Sequence, residues 1–210
     1  MSGFPQSLNP VRGGFVLVDA DTGRPTKTIP FQYNPDTLTR TLQVQGIGSE
    51  PGDRLEALRL KGPPHETYRF DAEFDAAEEP GKYPDGLFPL LYALEAGISP
   101  TYDQLWSEND DAGKGMLEIA PAESPLTVLV LGPRRVVPVR ITDFSVTEEA
   151  FDVSLNPIRA KVSIGVRVLT VDDLGYLHKG GRLYLAHLQQ KERFAAAVDH
   201  PVTDVGVPGI

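Results

Sequence analysis

The residue types that most often carry out chemistry do not form a known catalytic arrangement in this chain. The four histidines are His65, His178, His187 and His200, and no two of them have the spacing of a metal-binding pair on one predicted element. The chain contains no cysteine, which excludes disulfide bonds, thiolate metal sites and cysteine nucleophiles. We therefore predict no metal site, no cofactor and no catalytic histidine, and we assign the histidines to packing or surface roles.

Three carboxylates alternate along one predicted strand. Asp71, Glu73 and Asp75 share a face at intervals of about 7 Å, and paired carboxylates can act as general acid and base. The same pattern is typical of a strand face that meets water or a protein partner, which is the interpretation we favour. Lys114 lies between two glycines, but the motif is too short for a phosphate-binding loop, and no G-x-S-x-G nucleophile motif is present. We predict that the chain is not an enzyme.

Composition limits the classes of partner. The 210 residues carry a formal net charge of −9, which argues against a nucleic-acid backbone as the main partner. No apolar run approaches the roughly 20 residues of a membrane helix, and the first residues do not resemble a secretory signal. We therefore expect no membrane insertion and a cytoplasmic site of synthesis. The 20 glycines and 19 prolines favour a fold of many short elements and turns.

Alternating apolar and polar residues predict a mainly β fold. In the clearest strand, at residues 66–76, Tyr68, Phe70, Ala72 and Phe74 share one face, as expected of a half-buried strand. We expect seven or eight antiparallel strands that close into a sandwich or barrel, since isolated hairpins must bury their apolar faces against one another. The other predicted strands are 15–19, 26–33, 38–44, 116–120, 126–131, 136–146 and 162–168.

Two helices interrupt this pattern. A short helix is predicted at 87–95, with Pro89 in its first turn and Gly97 at its end; a longer one is predicted at 181–198. Residues 98–115 and 148–158 are predicted to be connections, and the Gly- and Pro-rich segment 46–64 a partner-binding loop. The predicted organisation is an arm at 1–12, a β domain at 13–180, the helix at 181–198 and a flexible tail at 199–210.

No sequence feature defines a catalytic, metal or cofactor site, so the candidate functional residues are interface residues. They come from the long loop, from basic positions at a predicted hairpin tip and strand end, and from the last helix. For the basic positions, a solvated turn and a contact with a charged partner are both open. The candidates are Leu55, Leu58, Leu60, Arg134, Arg135, Arg159, Leu183, Tyr184 and His187.

A series of short motifs resembles one known family. The motifs, in order, are Phe31–Leu38 (FQYNPDTL), Pro63-Pro64, Phe74-Asp75, Leu90-Leu91 with Leu94, Leu131-Gly132, and Asn156–Val162 (NPIRAKV). Over roughly residues 13–175 this order resembles the N-terminal tube-like domain of baseplate proteins from contractile injection systems. Two features depart from the family pattern: Leu131-Gly132 stands where the family often has Trp-Gly, and a helix stands where many members have a LysM module.

The resemblance implies a structural role. It implies a ring of six subunits that joins the spike hub to the inner tube and starts tube assembly. The implied partners are the spike or hub protein and the inner-tube or another tube-initiator protein, with the baseplate wedge or the sheath as further candidates. The implied location is the bacterial cytoplasm during assembly and then the injection particle.

Two alternatives remain open at this stage. The chain could be the stacked inner-tube protein of the same machine, although its C-terminal helix and tail favour a low-copy adaptor. It could instead be a carbohydrate- or peptidoglycan-binding β domain, with Trp106, Tyr102 and Tyr83 in loops as candidate sugar contacts.

Overall fold

The computed structural model describes residues 11–19, 22–46, 59–79, 81–113 and 124–200, together with residues 204 and 206. The predicted mainly β class is confirmed, because the described residues form one seven-stranded antiparallel sheet with a short mid-chain helix and a C-terminal helix. The strands are β1 (Gly14–Val18), β2 (Pro25–Pro30), β3 (Leu38–Gln43), β4 (His65–Asp75), β5 (Leu126–Val130), β6 (Val136–Phe151) and β7 (Pro157–Val168). The helices are α1 (Phe88–Glu95), α2 (Tyr102–Gly113), α3 (Val171–Leu174) and α4 (Lys179–Ala196).

The sheet is curled around its core. The strand order is β2-β1-β5-β6-β7-β4-β3, so β1 and β4 are four strand positions apart, about 19 Å in a flat sheet. Nevertheless, the rings of Phe15 on β1 and Phe70 on β4 have centroids only 6.4 Å apart. Phe31, just after β2, lies 5.5 Å from both rings and is fully buried. The two halves of the sheet therefore face each other across one aromatic core.

The alternation predicted for β4 is confirmed. Tyr68, Phe70, Ala72 and Phe74 are all buried. They oppose buried residues of β7 in register, with Phe70 across from Ile164. Because the side-chain period of a strand is two, this register turns the odd-numbered β4 side chains, from Thr67 to Asp75, to the outer face.

The two predicted helices are present with small shifts. Helix α1 has Pro89 in its first turn and buries Leu91 and Leu94. Its C-cap is Ala96 and not Gly97 as predicted. Helix α4 begins two residues earlier than predicted and buries Tyr184 against the core. A side chain at Gly181 would lie 1.9 Å from the Gly175 carbonyl oxygen, so this close approach requires glycine.

Two predicted connections were wrong. Residues 98–115 contain α2, whose start is fixed by Thr101 and Gln104: the Gln104 amide donates to Thr101 Oγ1, and Gln104 Oε1 accepts from the Thr101 amide, as in a capping box. Residues 148–151 continue β6, because bulges after Ile141 and after Glu148 let the long strand stay paired while its apolar period shifts.

The strand predicted at 38–44 is present as β3, but the prediction that it is half-buried was wrong. Strand β3 is an edge of the sheet, and only Leu38 is partly buried, whereas Leu42 is 43% exposed. Of the predicted partner loop, the described part is its base, where Gly46 and Leu60 form an antiparallel bridge. Residues 47–58, the predicted strand 116–120, most of the predicted arm and most of the predicted tail lie outside the described residues.

Candidate assembly interface

The outer face of β3, β4, β7 and β6 is polar over four adjacent strands. The pairing register shows which residues lie on this face, because it turns the apolar residues of the four strands inward to the core. The outward positions carry hydroxyl and charged side chains: Thr39, Thr41, Arg69, Asp71, Glu73, Lys161, Ser163, Asp143, Ser145 and Thr147. This surface has no large apolar side chain in these rows and is therefore suited to contact with water.

Ion pairs and hydrogen bonds organise this polar face. Asp71 accepts from Ser163 Oγ at 2.8 Å and lies 2.8 Å from Lys161 Nζ, while Asp75 accepts from Arg159 at 2.8 Å. Hydrogen bonds from Lys161 and Ser163 lower the pKa of Asp71, and those from Arg159 and the Ala77 amide lower the pKa of Asp75. Both carboxyl groups are thus held ionised, the opposite of what a general acid requires.

A groove of about 420 Å³ opens beside this face, between the 33–37 turn and β4. Tyr33, Asp36 and Thr37 line one side, and Asp71 with Lys161 line the other. Lys161 is paired with Asp71 and lies 4.0 Å from Glu73, which also lines the groove. The groove therefore offers polar and charged side chains for contact.

The turn between β6 and β7 presents apolar side chains at one end of the molecule. Phe151, Val153 and Leu155 are 46%, 105% and 75% exposed. Large exposed apolar side chains at adjacent positions are typical of interaction sites. We define these three residues as the β6–β7 tip.

Asp152 holds the tip in one conformation. Its Oδ1 accepts from the amides of Ser154 and Asn156 at 2.7 and 2.9 Å, and its Oδ2 accepts from Asn156 Nδ2 at 2.9 Å. These hydrogen bonds lower the pKa of Asp152, and the bond from the Asn156 amide has the largest effect. Leu155 adopts a φ of 63°, a left-handed conformation that costs a leucine energy. The tip is therefore a rigid, strained apolar projection.

A buried carboxylate fastens α4 to the sheet. Glu66 on β4 is 2% exposed and accepts from Arg40 Nε at 2.6 Å, from the Tyr68 hydroxyl at 2.5 Å and from Lys191 Nζ at 2.5 Å. Burial alone would raise the pKa of Glu66, but the hydrogen bonds from Lys191, Tyr68 and Arg40 outweigh it and lower the pKa to about 2. One carboxylate thus links β3, β4 and α4.

His187 lies beside this cluster and is buried, and neither ring nitrogen has a hydrogen-bond partner among the described residues. Burial and the charge of Lys191 lower its pKa, Glu66 opposes this effect, and Arg40 and Arg135 add to it. The ring is therefore neutral at pH 7 and acts as a packing residue.

The structure places the predicted interface residues of α4 against the chain's own core. Tyr184 and His187 are buried, and Leu183 packs on a small cluster that contains Leu126 and Val128. Their side chains are covered by the sheet of the same chain.

The other predicted interface residues are distributed over the surface. Leu60 is 67% exposed at the loop base. Arg134 stacks on Phe194 of α4 and Arg135 on Tyr68, with 5.3 and 5.5 Å to the ring centroids. Arg159 is paired with Asp75, and Leu55 and Leu58 lie outside the described residues. Among the described positions, Arg135 lies near His187, whose pKa it lowers, whereas Arg159 pairs with Asp75 near the end of β4.

The β6–β7 tip was not predicted from the sequence. The signal that could have found it is Asp152 four residues before Asn156-Pro157, since an Asp side chain can bond the backbone amides that follow it and fix a turn. The apolar residues Val153 and Leu155 inside such a turn then have no core to enter.

Among the described residues no group of three or more histidine and carboxylate side chains could hold a metal ion. No helix in the described ranges is both long and apolar enough to cross a membrane.

No family model matches the chain, and no curated protein matches it either. A comparison with solved structures finds a chain from the "tail of empty GTA particle" with C6 symmetry. The alignment has a TM-score of 0.31 and 11% sequence identity, and it covers 78% of this chain and 95% of that chain. A similarity at this level does not show a shared fold.

Proposed function

We propose that this chain is a non-enzymatic structural subunit of a contractile injection particle. It forms a ring between the spike hub and the inner tube and initiates tube assembly, after synthesis in the bacterial cytoplasm. The ordered motifs from Phe31–Leu38 to Asn156–Val162 support the family, and the described surface supports the ring.

The observation that carries the proposal is the polar outer face of β3, β4, β7 and β6. A curved sheet with an apolar inner face and a polar outer face needs no second layer over its polar side. Several such sheets around an axis would leave a water-filled channel lined by polar side chains, as in large barrels. A ring of this kind closes through one repeated heterologous contact.

The β6–β7 tip supports contact with a neighbouring subunit or partner. Its three apolar side chains lie at the end of a rigid turn, so little conformational entropy remains to be lost when they are covered. We expect the tip to insert into the adjacent ring member or the hub protein.

Imaging of particles tests the proposal. In the bacterium that encodes the chain, deletion of its gene should give particles with no tube or with a tube detached from the hub. The wild-type gene should restore full-length particles, and the Val153→Asp/Leu155→Asp variant should not. A matched control is Val198→Asp, which changes an exposed valine just after the end of α4 and should restore assembly. Full-length, loaded particles without the chain would overturn the proposal.

Two other functions are distinguished by simple measurements. A stacked inner-tube protein would be present in many copies per particle, whereas an initiator forms a single ring.

A peptidoglycan-binding domain is favoured by Tyr102 and Trp106, which are exposed and stacked with ring centroids 6.1 Å apart. Tyr102 and Trp106 lie on α2 and not in a loop as predicted. Tyr83 lies in a loop as predicted, but it is partly buried against the core.

A further inference from the structure

Helix α2 carries an apolar stripe that the described part of the chain leaves uncovered. Tyr102, Leu105 and Trp106 are 75%, 53% and 63% exposed, and their spacing of three and four residues places them on one face of the helix. No other described helix or strand packs extensively against α2. Its start is nevertheless secured locally by Thr101 and Gln104, so the helix presents its stripe from a defined position.

The charge of α2 indicates a basic partner. Its twelve residues include Asp103, Glu108, Asp110 and Asp111 and contain no lysine or arginine. A helix that docks through an aromatic stripe with acidic flanks is complementary to an apolar groove with a basic rim.

The same chain contains a groove with these properties. It has a volume of about 300 Å³ and is lined by Val11, Leu38, Leu131 and Arg135 among others. Arg134, the neighbour of Arg135 in the turn between β5 and β6, is exposed, and its guanidinium lies over the Phe194 ring of α4. A cavity of this size can receive a large aromatic side chain.

The helix and the groove belong to opposite ends of β1. Gly13, in the groove lining, lies against Leu131, whereas Gly97, just before α2, lies against Leu17 and Thr127. The exposure of Trp106 shows that it does not occupy the groove of its own chain.

From this arrangement we propose that α2 of one copy docks into the Arg134–Arg135 groove of the next copy, with Trp106 and Tyr102 as anchors. Complementary surfaces at opposite ends give a heterologous, head-to-tail contact, which is the type that closes rings. The inference rests on the proposed function in that it assigns one contact of the ring, and it is tested on the purified chain without particles.

Trp106 is the sole tryptophan of the chain and reports its own burial. In a dilution series of the full-length protein, increasing concentration should shift the Trp106 emission to shorter wavelength and protect it from acrylamide, in parallel with larger species in sedimentation velocity. Arg134→Glu should weaken association about tenfold, and Asp103→Lys in the same chain should restore it. Tyr102→Ala should also weaken association, whereas Arg24→Glu, a charge reversal at an exposed arginine in the β1–β2 turn, should not.

Three results would overturn the inference. In the first, the protein associates while Trp106 stays exposed, which leaves the proposed ring intact but assigns it to another surface. In the second, the protein remains monomeric with unchanged emission at every concentration, and the particle images then decide the proposed function separately. In the third, Trp106 responds only to soluble peptidoglycan fragments, which favours the carbohydrate-binding alternative.

Discussion

Glu66 connects three parts of the chain that are far apart in sequence. Its carboxylate accepts hydrogen bonds from Arg40 on β3, from Tyr68 on its own strand and from Lys191 on α4. These three donors satisfy the hydrogen-bonding capacity of the buried carboxylate. If the carboxylate is removed, the donors become partly buried charges or a hydroxyl that has lost this acceptor.

Replacement of Glu66 by glutamine should therefore destabilise the fold. We expect a loss of about 2 kcal/mol in the free energy of unfolding, measured by urea denaturation with far-UV circular dichroism. The control is Asp71→Asn, which removes an exposed ion pair and should cost less than about 1 kcal/mol. Equal stability of the Glu66→Gln variant and the wild type would show that the cluster does not fasten α4.

His187 makes stability depend on pH. The pKa of His187 in the folded protein lies below its ordinary value of 6.5. Its contribution to the free energy of unfolding is therefore present above pH 6.5 and is lost as pH falls through the folded pKa. The pKa of Glu66 is about 2 in the folded protein against an ordinary 4.5, so the free energy of unfolding decreases again below pH 4.5. We predict that His187→Phe keeps or increases the free energy of unfolding at pH 7, since neither ring nitrogen has a partner in the part of the chain that the structure describes. The same variant should reduce the loss of stability between pH 7 and 5. Marked destabilisation by phenylalanine at pH 7 would contradict this prediction.

No local pattern reveals the Glu66 cluster. Arg40 falls on the apolar side of its strand, with the parity of Leu38 and Leu42. Its partner Glu66 is 26 residues away and Lys191 is a further 125 residues along the chain. A contact of this kind depends on the tertiary fold.

At the scale of elements, the β6–β7 hairpin combines rigidity with strain. Asp152 fixes the turn through three hydrogen bonds, while Leu155 remains in a left-handed conformation. A strained leucine with an exposed side chain is unfavourable for the isolated chain and becomes useful when a partner covers it.

Leu155→Gly should separate the effect of the backbone strain on stability from the effect of the leucine side chain on assembly. Glycine adopts a φ of 63° without strain, so we expect the free energy of unfolding to be unchanged or to rise by up to about 1 kcal/mol. Particle assembly should decrease because an apolar contact is lost. Leu177→Gly, at another exposed leucine, is the control for removal of a side chain. If Leu155→Gly assembles normally, the tip is not an interface.

The predictability of the elements depends on their periodicity. Strand β4 could be predicted because its alternation is unbroken from Tyr68 to Phe74. Helix α2 could not, because its second half is acidic and polar and its capping residues Thr101 and Gln104 are the main helix signal. The end of β6 was missed because bulges shift its apolar period.

At the scale of the whole molecule, three phenylalanines hold the curled sheet together. Phe70 contacts Phe15 and Phe31 from the opposite half of the sheet. We expect Phe70→Ala to cost about 3–5 kcal/mol of unfolding free energy, measured by thermal and urea denaturation. Tyr102→Ala removes an exposed ring and should leave stability nearly unchanged. A small effect of Phe70→Ala would mean that the two halves do not depend on this contact.

The curled architecture was predictable as a class but not in detail. The need to bury apolar strand faces indicates a sandwich or barrel, whereas the order β2-β1-β5-β6-β7-β4-β3 depends on pairings between distant segments. The candidate interface was less predictable, since several of the proposed residues, including Tyr184 and His187, are covered within the chain.

Electron cryo-microscopy of intact particles from the bacterium that encodes this chain is the most direct test of the central claim. We predict one ring of this chain between the spike hub and the first tube ring, with the polar face of β3, β4, β7 and β6 lining the channel and the β6–β7 tip covered by a neighbour. Particles that lack the chain, or a ring whose polar face points away from the channel, would contradict the claim.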